Sequence, residues 1–125
     1  MIQALLVAFG GAIGSVLRYY VSRWALKLMG PAFPWGTLTV NVVGCFVIGV
    51  FAELIARKFN ASVELRLLLI TGFLGGFTTF SAFSLDAISL FERGETVAGG
   101  IYIAASVGFS MAAVIAGLAT MRALA

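Results

Sequence analysis

A chain of 125 residues that is 62% hydrophobic and 10% charged belongs to the membrane class, because a soluble domain carries roughly 25% charged residues. It has no histidine and one cysteine, Cys45, which excludes an internal disulfide, most zinc, haem and iron–sulfur designs, and histidine-based acid–base catalysis. The formal net charge is +3 and the basic residues scatter, so no nucleic-acid-binding surface is expected.

Spanning helices need about 20 apolar residues, and the chain divides into four such stretches, at 2–22, 35–56, 63–90 and 96–121. They leave no room for a soluble domain, so residues 1–125 are expected to form a single transmembrane domain. Met1-Ile2-Gln3 carries no positive n-region, and the apolar run behind it is too long for a signal h-region, so the first span is read as retained. Between the first two spans, Arg23 to Pro34 holds two prolines and a glycine and is read as a loop. A polar turn, Arg57 to Ser62, precedes the third span, with Ser62 placed to start a helix.

The charges at the two ends of such a bundle nearly balance. Arg57, Lys58, Arg66 and Arg122 fall on one side; Arg23, Lys27 and Arg93 fall on the other, with Arg18 if it reaches out. The positive-inside rule needs an asymmetry, and there is almost none. Two readings stay open: insertion in both orientations with assembly as an antiparallel pair, or a weakly biased chain with one orientation.

In the first span, Gly10 and Gly14 have the four-residue spacing that permits close helix contact. Arg18 either snorkels to the interface or stands at a pore mouth, where it would raise the local anion concentration. In the second span Asn41 lies six positions past Trp35, about 9 Å deeper along a helix. An amide at that depth needs partners: an interhelical hydrogen bond, or a polar path that it lines.

The third span contains Thr71 to Ser84, with five hydroxyl residues, four phenylalanines and the pair Gly75-Gly76. Two glycines followed by Thr78 and Thr79 weaken a helix, so this helix is expected to be broken mid-membrane, from Gly75 to Thr78. Broken backbone is tolerated in hydrocarbon only under cover of protein or facing a water-filled cavity. Asp86, one turn before the end of this span, is an interfacial or a vestibule residue. In the fourth span Tyr102, Ser106 and Ser110 share one helix face, while Gly100, Ala104, Gly108, Ala112 and Ala116 form a second row suited to close packing.

These pieces hold no paired carboxylates, no nucleophile with a base and no phosphate loop, so an enzyme is not expected. Phenylalanine edges carry positive quadrupole character, and with amide and hydroxyl donors they suit a small, partly dehydrated anion. Weak sites of that sort favour passage over capture.

Four segments resemble the CrcB/Fluc family of bacterial fluoride channels: Gly10 to Tyr19, Gly36 to Gly44, Gly72 to Ser84, and Tyr102 to Ser110. They cover all four spans in order, and the third is highly specific. The resemblance implies an all-α membrane protein: a dual-topology antiparallel homodimer with two fluoride pores at the subunit interface. It implies pore roles for Asn41, Phe80, Phe83, Tyr102, Ser106 and Ser110, and vestibule positions for Arg18 and Asp86. It also implies a structural sodium ion at the dimer centre, held by the backbone carbonyls of Gly75 and Thr78 from each subunit. The function implied is passive export of fluoride through the cytoplasmic (inner) membrane, which lowers its intracellular concentration and toxicity. The competing reading is a small dual-topology, proton-coupled exporter; such exporters use a carboxylate in the first helix, and residues 2–22 contain none.

Overall fold

The computed structural model describes residues 1–58 and 62–124. The polar turn expected at 57–62 therefore lies partly, at 59–61, outside the described residues. The elements are α1 (Ile2–Met29), α2 (Trp35–Lys58), α3 (Val63–Arg66), a π-helical segment π1 (Leu67–Leu74), α4 (Gly75–Phe77), α5 (Phe80–Glu92) and α6 (Thr96–Leu124). Four stretches, Ile2–Met29, Trp35–Arg57, Val63–Glu92 and Thr96–Leu124, are long and apolar enough to cross a membrane. The protein is an all-α multi-pass membrane protein.

Local chemistry explains the boundaries. Ser62 caps α3 by accepting a hydrogen bond from Leu65 N at 3.3 Å. α1 continues to Met29, past the expected 2–22 span and into the stretch read as a loop. Arg23 to Met29 contains no breaker, and the helix stops only at Gly30, whose φ of 79° is open to glycine, ahead of Pro31. α6 likewise runs three residues past 121 to Leu124.

The third span departs most from a plain helix. π1 winds with i→i+5 hydrogen bonds over eight residues, a feature that periodicity did not announce. α4 ends at Phe77; Thr78 (φ −91°, ψ 161°) and Thr79 (φ −154°, ψ 125°) are extended, and α5 starts at Phe80. Gly75 and Gly76, expected to lie in the break, are helical. Gly76 serves close packing instead: a Cβ there would stand 2.6 Å from Gly11 O of α1.

α1 lies against π1 and α4, and α2 lies against α6. Gly10 and Gly14 are the points where α1 meets the third span: a Cβ on Gly10 would lie 2.8 Å from Phe73 N, and one on Gly14 would lie 2.9 Å from Phe77 N. On α6 the residues buried are Gly99, Tyr102, Ser106 and Gly117. The row from Gly100 to Ala116 is exposed, with nothing within 4 Å of a Cβ on Gly100 or Gly108. The packing glycines and the polar ladder thus share one face of α6, and the expected small-residue packing row faces outward.

Two small apolar clusters hold the bundle. Val40, Leu74 and Phe77 form one; Ala87, Leu90 and Tyr102 form the other. Most large apolar side chains, such as Phe9, Val97 and Ile115, point outward, as hydrocarbon solvent allows. At one end Glu53 accepts from Arg57 Nε at 2.9 Å and from Arg122 Nε at 3.1 Å, tying the C-terminal ends of α2 and α6 together.

Candidate functional site

The extended pair Thr78-Thr79 is held from α2. Asn41 Nδ2 donates to Thr79 O at 2.9 Å, and Thr79 N donates to Asn41 Oδ1 at 2.8 Å. One carboxamide thus satisfies both backbone groups of one residue. Thr79 Oγ1 in turn caps α5 by accepting from Ala82 N at 3.1 Å. Thr78 keeps its helical bond to Leu74 O at 2.9 Å and adds a second through Oγ1 at 2.8 Å. Gly44, one turn along α2 from Asn41, gives this join its room: a Cβ there would meet Thr78 Cγ2 and would lie 3.3 Å from Phe77 Cδ2.

Beside the join lies a cavity of about 340 Å³ lined by α2, the Thr78–Thr79 pair, α5 and α6. It brings together Asn41, Phe80, Phe83, Ser106 and Ser110, five of the six residues expected along a pore. Among the described residues no charged side chain lines it. The Phe80 and Phe83 ring centroids stand 5.6 Å apart with planes tilted by 49°. Phe80 is 77% exposed, so the cavity opens at the side of the chain. Ser106 is 6% exposed, and its Oγ has no hydrogen-bond partner among the described residues. A buried hydroxyl without a partner costs about 1–3 kcal/mol, and its O–H is available to whatever enters the cavity.

Tyr102, the sixth residue, stands behind this wall. It is fully buried, its ring centroid lies 5.3 Å from that of Phe83, and its hydroxyl donates to Asp86 Oδ2 at 3.2 Å. On its other side Phe33 meets it edge-on at 5.4 Å. Asp86 lines a second cavity of about 260 Å³ at the end of the bundle, with Phe33, Thr37, Ser89 and Arg93.

Arg18 lines neither cavity. It is half-buried, and its Nε donates to Gly76 O at 2.9 Å. Gly75 lies outside the cavity and is exposed; Thr78 lines it. Cys45, Thr79, Val107 and Met111 also line the cavity. Thr79 is the important omission from the expected set. Its signal was the β-branched pair itself, which favours extended backbone over helix.

The family model described as CrcB-like protein, Camphor Resistance (CrcB), matches residues 5–118. The chain is 92% identical over 125 residues to a protein of Rhizobium johnstonii, covering 100% of both chains. It is 63% identical over 124 residues to one of Agrobacterium fabrum, covering 99% of both. A third, from Nitrobacter hamburgensis, is 51% identical over 120 residues, covering 96% of this chain and 95% of that one. The first two bear the name fluoride-specific ion channel FluC, and the third fluoride-specific ion channel FluC 1.

Proposed function

The chain belongs to the CrcB family, and we propose that it is a fluoride-selective passive ion channel that exports cytoplasmic fluoride through the inner membrane. The observation that carries this reading is the cavity that brings together Phe80, Phe83 and Ser106, whose hydroxyl has no partner among the described residues. An ion with no full positive charge to meet binds weakly and leaves readily. Hydroxyl donors and positive ring edges favour a small anion that sheds part of its water. The pore runs past Asn41, Phe80, Phe83, Ser106 and Ser110, with Tyr102 behind Phe83. Arg18 and Asp86 serve the vestibules. With Nε committed to Gly76, the remaining Arg18 N–H groups raise the local anion concentration.

The working unit is an antiparallel homodimer with both orientations inserted. The near balance of basic residues at the two ends supports dual insertion. Phe80, exposed at the open side of the cavity, supports a second copy as the missing wall. The extended Thr78-Thr79 pair is the mid-membrane break, and it faces that copy. Thr78 N and Thr79 N donate to Leu74 O and Asn41 Oδ1 rather than to Gly75 O, and among the described residues Thr78 O takes no hydrogen bond. Backbone oxygens free of donors fit a hard cation, so Gly75 and Thr78 of each copy would hold a structural sodium ion, which would supply a positive charge for those carbonyl dipoles to coordinate. A proton-coupled exporter is disfavoured, since α1 carries no carboxylate.

Liposomes containing purified protein test the function. Fast fluoride efflux with negligible chloride efflux is expected; a folded, dimeric protein that passes no fluoride sinks the reading. A C-terminal tag accessible from both sides is expected for dual insertion, and access from one side alone refutes it.

A further inference from the structure

We infer that Asn41 is a positioning residue: its carboxamide extends the backbone at Thr79 and thereby frees the Gly75 carbonyl for a cation. This rests on the sodium reading above. The accounting is local. In an unbroken helix Thr79 N would pair with Gly75 O. Here Thr79 N donates to Asn41 Oδ1 at 2.8 Å instead, across 38 positions of sequence. Leu74 O, one residue earlier, is doubly satisfied by Thr78 N and Thr78 Oγ1. Gly76 O, one residue later, is taken by Arg18 Nε. Thr78 N goes to Leu74 O and Thr79 N to Asn41 Oδ1, so neither serves Gly75 O, and among the described residues no donor reaches Thr78 O; Gly75 is exposed.

The residue type follows from the task. One side chain must present an acceptor to Thr79 N and a donor to Thr79 O at once, and a carboxamide does both. One Nδ2–H then remains for the cavity that Asn41 also lines. The same two bonds set where α5 begins, and therefore where Phe80 stands. Asn41 thus joins the two jobs of the third span, the cation site on one side and the pore on the other.

The test is a sodium titration of the purified dimer against N-methylglucamine at constant ionic strength, following the unfolding temperature, with amide exchange of residues 77–83 as a second readout. Asn41→Ala is expected to raise the half-maximal sodium concentration at least about tenfold and to speed exchange at Thr79. Asn41→Asp keeps the acceptor for Thr79 N and loses the donor to Thr79 O, so its sodium midpoint is expected between those of Asn41→Ala and the unmodified protein. Ser110→Ala lowers fluoride flux and leaves the sodium midpoint unchanged, which separates pore damage from loss of the cation site. A sodium midpoint in Asn41→Ala within about twofold of the unmodified protein overturns the inference, as does equal loss in the Ala and Asp variants. An unmodified protein indifferent to sodium refutes the cation reading. Unchanged Thr79 exchange in Asn41→Ala removes the positioning role by itself. Should Asn41→Ala fail to assemble, the Asp variant and its Thr79 exchange decide.

Discussion

Tyr102 donates its hydroxyl to Asp86 Oδ2 at 3.2 Å, and through that bond the fully buried ring touches residues of both cavities. Phe83 on one side lines the internal cavity; Phe33 and Asp86 on the other line the cavity at the end of the bundle. Tyr102→Phe keeps the ring and removes the bond to a carboxylate. A loss of about 1.5–3 kcal/mol of stability is expected, the range for a hydrogen bond to a charged group. A double-mutant cycle with Asp86→Asn checks it: denaturation of the four proteins should give a coupling of about 1 kcal/mol.

Ser106 should behave in the opposite way. Its Oγ has no partner among the described residues, so Ser106→Ala removes an unsatisfied buried hydroxyl and leaves stability unchanged or slightly raised. Fluoride flux in liposomes should nonetheless fall about tenfold, because one hydrogen bond to the passing ion is lost. A variant that loses stability while keeping its flux would show that the hydroxyl serves packing.

Phe80 is so exposed that Phe80→Ile removes little from the fold of one chain. Flux should drop at least about tenfold through loss of the ring edge, while size-exclusion chromatography still shows the dimer. Unchanged flux in both Phe80→Ile and Asn41→Ala would discard the pore assignment.

Gly44 is a packing requirement at the join. Gly44→Ala drives a Cβ against Thr78 Cγ2 and close to Phe77, and overpacking of that kind costs about 1–3 kcal/mol. Thr78→Ser deletes Cγ2 and keeps the hydroxyl that bonds Leu74 O, so adding it to Gly44→Ala should restore most of the loss. Gly100→Ala is the contrasting case: nothing lies within 4 Å, and the change should be neutral in the same thermal assay.

Amino-acid order alone determined much of this protein, because hydropathy and periodicity are local properties. The four spans, the Ser62 cap, the Gly10/Gly14 contact and the shared face of Tyr102, Ser106 and Ser110 were legible in spacing and residue type. The order also marked Gly75 to Thr79 as a place where a helix is weak. Only the tertiary structure decided which residues leave the helix. Gly75 and Gly76 stay helical, Gly76 packed against α1, while Thr78 and Thr79 are extended, since Asn41 supplies from α2 the hydrogen bonds that the helix would otherwise make. Spacing within the third span contains no trace of a partner 38 residues away. The same holds for Arg18 on Gly76 O, and for the outer row of α6: periodicity names two faces, and only packing tells which one turns inward.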